Sequence, residues 1–557
     1  MSYVARHGTH ALTAANNHVV VPLSDHGDDT LSRLARIHGV ETSWLGPDGN
    51  RNAVSRESLL AVVGAAAEEA IDNESDVREA LVAAERASRS EVLARFVVAP
   101  AGRVAPIELA SDAEGAVLLG EDGSTLAGIV DGSSITIDEH LPAGLYTLTV
   151  GAAGGHHVTT VLATPDPNDM AVPPEFGVRT NVSELRDRKD CDQGRGHIGL
   201  VGRLATVIDR HGIGCIATPS LLPHRHVDGA GHHGIMNRRG WSEWIVNVAA
   251  APGAASQHHD WSTACGDEAS ARSAHRAAIE TYSELVGDHP ALRAELDRFL
   301  VGHPHILRYA RFMALGETLS EDWRRWPVPW RSGDLANAPV DETRELYHQV
   351  VQWQADVQLR QVATAMADRG QVIEMHLDIG VHPHGYDYWH QPHLFSSAAT
   401  VGRPPSERLP HGSNSMSPAA RSNFAHDDGY RSFASTVRHQ LGGGLLRLAS
   451  RDIFERAWWI PDGAEPCEGA WVRMDADNLL AITSLEAHRM GAMVIMTDAD
   501  GTDSIPFVRA IPSKCTLRDL VPGEVDGERF RRPLEHVLSE PAVGSGLAAL
   551  RTESPAL

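Results

Sequence analysis

Beyond a Pro/Asp-rich break at 164–169 (TPDPND), the sequence alternates apolar strand-like runs with helical periodicity over most of its remaining length, and no other feature restricts its fold as much. Leu346, Val350, Trp353 and Val357 are spaced 4, 3 and 4 apart, which marks one face of a long helix ending at Arg369-Gly370. The next segment, QVIEMHLDIGV, alternates strictly: Ile373, Met375, Leu377, Ile379 and Val381 share one face, and Glu374, His376, Asp378 and Gly380 the other. Further strands are expected at Ile213–Thr218, Leu445–Leu448 and Met493–Thr497. Strand–helix alternation sustained this long predicts an α/β fold, either a barrel or a doubly wound sheet.

What precedes the break reads differently. Residues 1–28 are polar and rich in His and Asn, as expected of a loose arm. Residues 29–94 carry three amphipathic helical patterns joined by Gly, Pro and Asn turns, which makes a small helical module. Residues 95–163 break into short β-rich runs (ARFVVAP, GAVLLG, SSITID, GLYTLTV, HVTTVLA) separated by turn clusters, the pattern of a β-sandwich module. Residues 164–173 then form a linker, and 174–557 the α/β part.

Composition narrows the partners. The formal net charge is −24, and such a surface repels phosphate backbones and anionic lipid, so neither nucleic acid nor membrane is an expected partner. The five cysteines (Cys191, Cys215, Cys265, Cys467, Cys515) are odd in number, widely spaced and without a CxxC, which favours a reducing, cytoplasmic setting. The N-terminal text has no apolar core of a secretion signal, and no 18-residue apolar run occurs. Histidines, 31 in number, outnumber Phe, Tyr and Trp combined.

The stretch RAWWIPDGAEPCEGAWVRMDADNLLAITSLEAHRMGAMVIMTDADGT (456–502) resembles the 4-α-glucanotransferases, or amylomaltases, of glycoside hydrolase family 77. The family pattern there runs R-x-W-W-I-P-x-G, G-A-Y-V, D-D-L-L-A-I-L-A-L-E-S and V-I-G-E-D-L-G-T. RYARFMALGETLSEDWRRWP (308–327), VVQWQADVQLRQVATAMADRG (350–370) and GVHPHGYDYWHQPHLFSSAATVGRPP (380–405) match further blocks in order. The resemblance implies a (β/α)8 TIM-type barrel with inserted subdomains, the helical and β-rich modules standing where actinobacterial members carry extensions. It also implies transfer of α-1,4-glucan chains with retention. That chemistry needs a carboxylate nucleophile and a carboxylic acid about 5–5.5 Å apart. The chain reaches Leu557 where family members continue for another strand–helix unit or more, so an incompletely closed barrel is expected.

At the family's catalytic positions this sequence departs. Its R-I-D-H motif aligns without a gap on Arg447-Leu448-Ala449-Ser450, which puts Ala449 at the nucleophile position. The Glu of V-I-G-E-D falls on Thr497, and the third carboxylate, of T-H-D, on Ser554. The family's S-P-Y becomes Gly231-His232-His233, its G-I-G-D-L becomes His197–Val201, the strand Asp of G-D-L-P becomes His376, and the Trp-bearing loop becomes HGSNSMSPAA. Alanine cannot attack an anomeric carbon, and losing general-acid help alone costs about 10²–10⁴-fold. No intact catalytic residue is expected, and no cofactor; the resemblance predicts an impaired homologue with a binding or interaction role, its partners an α-glucan or maltooligosaccharide, or another protein. Two alternatives stand beside it.

The first is an active transferase using displaced carboxylates, for which Asp452, Asp498 and Asp500 are the candidates. The second is a metal-binding rim: His224, His226, His232 and His233 share one predicted loop, His382, His384, His390 and His393 another, with His376 on the strand between. The metal candidates are His376, His382, His384, His232 and His233. Arg447, Trp458, Trp459, His233 and His376 are the substrate-contact candidates, the tryptophans because flat rings suit pyranose faces. Without the family's Asp, Arg447 needs another anion, and Asp452 or Asp498 is the expected one.

Overall fold

A computed structural model describes residues 29–496 and 516–519, apart from positions 103, 139, 153, 167–168, 172 and 175 and the intervals 180–196, 210–212, 228–231, 255–267, 422–428. The expected arm at 1–28 lies outside the described residues, as do Thr497, Asp498, Asp500 and Ser554.

The centre is a parallel sheet of six strands, in the order Met493–Met496, Gly444–Leu448, Val372–His376, Cys215–Ala217, Phe176–Arg179, Thr516–Asp519. Neighbours in the sheet are successive in sequence except at one edge, where Thr516–Asp519 turns back to pair with the first strand. Pairing of a late strand with the first is what closes a barrel. Among the described residues no pairing joins that strand to Met493–Met496, so the sheet is a curled, part-closed barrel. This is the expected fold class.

The sheet is buried on both faces, as parallel sheets are. Ile216, Ile373, Met375, Leu446, Leu448 and Val494 face outward into the main core, under the surrounding helices. Cys215, Leu445 and Ile495 face inward with Val372 and Met493 packed against them. The polar face read from the sequence at Glu374 and His376 is therefore the barrel's interior, not a solvated side.

The predicted long helix spans Glu342–Ala367 and buries Val350 and Trp353, while Leu346 and Val357 are partly buried. It also buries four glutamines, Gln349, Gln352, Gln354 and Gln358, that the apolar periodicity does not reveal. Gln352 accepts from the Trp241 backbone N–H and donates to its carbonyl, both at 2.7 Å. Gln358 does the same for Asn247, at 2.7 and 3.0 Å. Buried amides satisfied this way hold the irregular segment after the second barrel strand against the helix layer.

The N-terminal helices, Thr30–Ile37, Arg56–Ala67 and Glu74–Ser90, begin at Asp29, Ser55 and Asn73, whose side chains cap the first turn of each. They do not form a core of their own. Leu31, Leu34, Val62, Val63 and Val77 share one with Ala399, Trp459, Ala470 and Val472 of an antiparallel sheet whose strands are 413–420, 395–403, 456–461 and 470–473 in spatial order. The β-rich region makes seven strands linked by successive pairing, with Ile107 and Ile135 of one end sharing a core with Leu118, Leu148, Val150 and Val161 of the other.

One ion-pair hub ties the helix layer together. Glu317, on helix Pro304–Thr318, meets His348 of the long helix at 3.0 Å, Arg276 of helix Glu268–Asp288 at 2.7 Å and Arg344 at 3.1 Å. Burial opposes ionisation of Glu317, but the His348 hydrogen bond and charge and the Arg276 contact outweigh it and hold its carboxyl down to about 2. A depressed carboxyl stabilises the fold above its ordinary 4.5, and that contribution is lost as the pH falls through about 2. The expected outcome for Glu317→Gln is a stability deficit of up to about 3 kcal/mol at neutral pH that shrinks steadily below pH 4.5, read by urea denaturation across pH.

Candidate active site at the strand ends

The C-terminal ends of the parallel strands are where a barrel places its chemistry. Here the residues just beneath those ends are occupied by an ion pair. Glu374, completely buried on the third strand, receives two parallel hydrogen bonds from Arg447 on the fourth. Arg447 Nη2 lies 2.7 Å from Glu374 Oε2, and Nε meets Oε1. Cys215 Sγ, on the second strand, lies 3.8 Å from Oε2. Three adjacent strands are thus joined through side chains inside the barrel. The arginine's anion is Glu374 and not the expected Asp452, which is exposed at the start of the short helix Asp452–Glu455. The reason is geometric: His376 is the residue beside Arg447 in the ladder, so Glu374 stands on the same inward face, one layer down.

Ala449 follows the fourth strand directly, two residues past Arg447 on the same alternation, and is exposed. A methyl group therefore stands at the strand end where the family resemblance puts a nucleophile.

The neighbouring strand end carries Asp378, which the sequence placed on the polar face without weighing it as a substitute carboxylate. Its backbone is clamped by Gln440, which accepts from the Asp378 N–H at 2.8 Å and donates to the Asp378 carbonyl at 3.0 Å. Its Oδ2 is buried with no hydrogen-bond partner among the described residues. Burial pushes this carboxyl above the ordinary range, opposed by the Ser220 hydroxyl and by His376 and His224. Asp378, His376, His224 and Ser220 thus gather at one rim, from the third strand and the loop after the second.

The remaining histidine candidates lie on two segments. The His224–Val227 and His232–Ile235 strands form a hairpin with His226 opposite His233, which brings those two backbones together; the side chains of His226, His232 and His233 lie outside the described residues. His382 is buried, and its Nδ1 accepts from the His384 N–H at 2.9 Å. His384 turns toward Arg324 and Asp322. Among the described residues no three His, Cys, Asp or Glu side chains converge as a metal site would require.

Nor do the tryptophans present a platform. Trp458 and Trp459 are 0% and 1% exposed. Trp458 packs edge-on to Trp44 and Trp471, at 5.4 and 5.3 Å, and donates to the Pro466 carbonyl at 2.8 Å. Trp459 fills the core under the N-terminal helices. Both are core residues and not the expected sugar contacts. Their strand is antiparallel and belongs to the outlying sheet, not to the barrel.

A buried carboxylate–guanidinium pair is costly to break from one side. Glu374→Gln is expected to destabilise the protein by about 3–5 kcal/mol, because it strands the Arg447 charge, while Glu374→Leu with Arg447→Met recovers most of the loss; chemical denaturation of the three proteins measures this.

Comparison with known proteins agrees with this architecture. The glycoside hydrolase 77 family model, described as 4-alpha-glucanotransferase, matches residues 255–503. The 4-alpha-glucanotransferase of Mycobacterium tuberculosis (strain H37Rv) is 27% identical over 539 residues, covering 86% of this chain and 73% of that protein. That of Haemophilus influenzae is 25% identical over 185 residues, 32% of this chain and 26% of that protein. Among solved structures, amylomaltase from Corynebacterium glutamicum superposes with a TM-score of 0.69 at 20% identity, covering 86% of this chain and 73% of that one. Amylomaltase from Streptococcus agalactiae, solved in complex with acarbose, gives 0.50 at 14% identity, with coverages of 59% and 69%. Sequence blocks, family model and barrel sheet converge: the chain is similar to the 4-alpha-glucanotransferases (amylomaltases), and shares the amylomaltase fold.

Proposed function

We propose that this protein binds α-glucan at the C-terminal rim of its barrel without carrying out the double displacement of an active 4-α-glucanotransferase. The observation that carries this reading is Ala449 at the end of the fourth strand, beside an Arg447 whose guanidinium is already engaged by Glu374. A retaining transfer requires a carboxylate that forms a glycosyl–enzyme bond and a second that protonates the leaving oxygen. Ala449 supplies no nucleophile, and Thr497 supplies no acid near neutral pH. Binding of glucan, or of a partner protein, is the role that a family scaffold keeps when those groups are gone. A cytoplasmic setting accords with the cysteine pattern, and among the described residues no helix is long and apolar enough to cross a membrane. The division at 28, 94, 163 and 173 is proposed as the limits of arm, modules and linker.

A second reading, an active transferase with displaced carboxylates, draws support from Asp378, whose carboxyl is held protonated to higher pH than usual at the same rim. Asp452, at the start of the short helix after the fourth strand, is the described member of the expected substitutes.

Maltotriose disproportionation separates the two. The expected outcome is no product ladder from the wild-type protein and a ladder from Ala449→Asp/Thr497→Glu. A ladder from wild type that disappears in Asp378→Asn would overturn the proposal in favour of the second reading.

A further inference from the structure

The chain's net charge is −24, yet one place beside the barrel rim collects hydrogen-bond donors and positive charge with little to neutralise them. The segment after the His232–Ile235 strand runs against the short helix Tyr386–His390, the Tyr386 N–H donating to the Met236 carbonyl at 2.7 Å. Arg238 uses up the carboxylate available there: its backbone N–H and its Nε both donate to Asp387 Oδ2 at 2.9 Å. Arg239, the next residue, is only partly exposed, and its guanidinium has neither ion pair nor hydrogen-bond acceptor among the described residues.

A second guanidinium faces the same place. Arg308, exposed on helix Pro304–Thr318, has Nη1 3.3 Å from His390 Nδ1. With Nδ1 accepting, the neutral imidazole carries its proton on Nε2 and offers it as a donor. Tyr386 stacks on the His390 ring, with 5.2 Å between centroids and an interplanar angle of 19°. Tyr386 is fully buried, and its hydroxyl has no hydrogen-bond partner among the described residues. Both Arg239 and Arg308 are within electrostatic reach of that hydroxyl. The N-terminus of helix Pro304–Thr318 adds the His305 backbone N–H, since Pro304 has none and the Ile306 N–H goes to the His303 carbonyl at 2.9 Å; the cap residue His303 gives no side-chain cap, its Nδ1 being directed to the Phe299 carbonyl at 2.8 Å. His305 in the first turn lies beside Arg239.

Two guanidiniums, an imidazole N–H, a buried phenol and a helix N-terminus are all donors, and the one nearby carboxylate is already bound. Such a set matches a tetrahedral oxyanion, whose several oxygens accept from many directions and whose double negative charge balances two arginines. We infer that Arg239, Arg308, His390 and Tyr386 form a binding site for a phosphate group, either free or as the monoester of a sugar. The arrangement uses neither Ala449 nor Asp378 and does not depend on whether the barrel transfers glucan.

The test uses the full chain, titrated by calorimetry with inorganic phosphate and with glucose 6-phosphate at constant ionic strength. Saturable binding is expected, weakened at least tenfold in Arg239→Gln and in Arg308→Gln, and several-fold in Tyr386→Phe. Arg308 is exposed, so its variant keeps the fold even if Arg239→Gln does not, and circular dichroism verifies this. Tighter binding of glucose 6-phosphate assigns the sugar ester, and tighter binding of phosphate the free anion; either supports the site. Absence of saturable binding for both up to about 10 mM, or affinity unchanged in a folded Arg308→Gln protein, would overturn it.

Discussion

The Glu374–Arg447 pair sets the terms for the rest of the barrel. Two charges held inside a parallel sheet lose their hydration, and only close, two-point contact with each other offsets the loss. That requirement fixes the third and fourth strands in register: slipping either by one residue would turn one charge into the apolar helix layer. Cys215 extends the contact to the second strand. Three short strands, each of five residues or fewer, are thereby joined by side chains as well as by their ladder. The same pair also decides what the strand ends can do, since an arginine so engaged is not available to orient a group at the position of Ala449.

Much of the fold was legible in the sequence because it rests on periodicity. The strict alternation around Ile373 and Met375 and the heptad-like spacing of Val350 and Trp353 mark burial, and burial is what the structure shows for them. Less legible was anything set by contacts between distant segments. The anions expected for Arg447 are Asp452 and Asp498, whereas its partner among the described residues is Glu374 on the adjacent strand, a juxtaposition that strand order creates and spacing alone does not. The signal was present in Glu374, an acid on the inward face of a central strand. Trp458 and Trp459 suggested sugar stacking by residue type, but they sit on an antiparallel strand that the N-terminal helices cover. A chain position far from those helices gives no hint of that cover. Of the histidines that spacing put on two loops and the strand between, His224 and His376 stand beside Asp378, while His382 and His384 turn to other neighbours.

The polar groups that the helices bury tell a consistent story about the irregular segment between the second and third strands. Gln352 and Gln358 each satisfy a backbone N–H and a carbonyl of that segment, and Gln440 does so for Asp378. Each glutamine replaces the hydrogen bonds that regular structure would have made. The loops of the rim are therefore held by amides rather than by packing alone, so the scaffold beneath the strand ends stays ordered whatever residues occupy the tips.

The pairing of Thr516–Asp519 with Phe176–Arg179 has a consequence for how the chain is made. The first barrel strand emerges from the ribosome long before its outer neighbour exists, and the N-terminal helices wait similarly for the 395–473 sheet that shares their core. Until those later segments have been made, the first strand keeps one edge unpaired and the helices keep their apolar faces uncovered. Contacts so distant in sequence slow folding and prolong the exposure of sticky surface. The nascent protein is thus a natural client for chaperones, and its yield in a cell should respond to translation speed and temperature more than its folded stability would indicate.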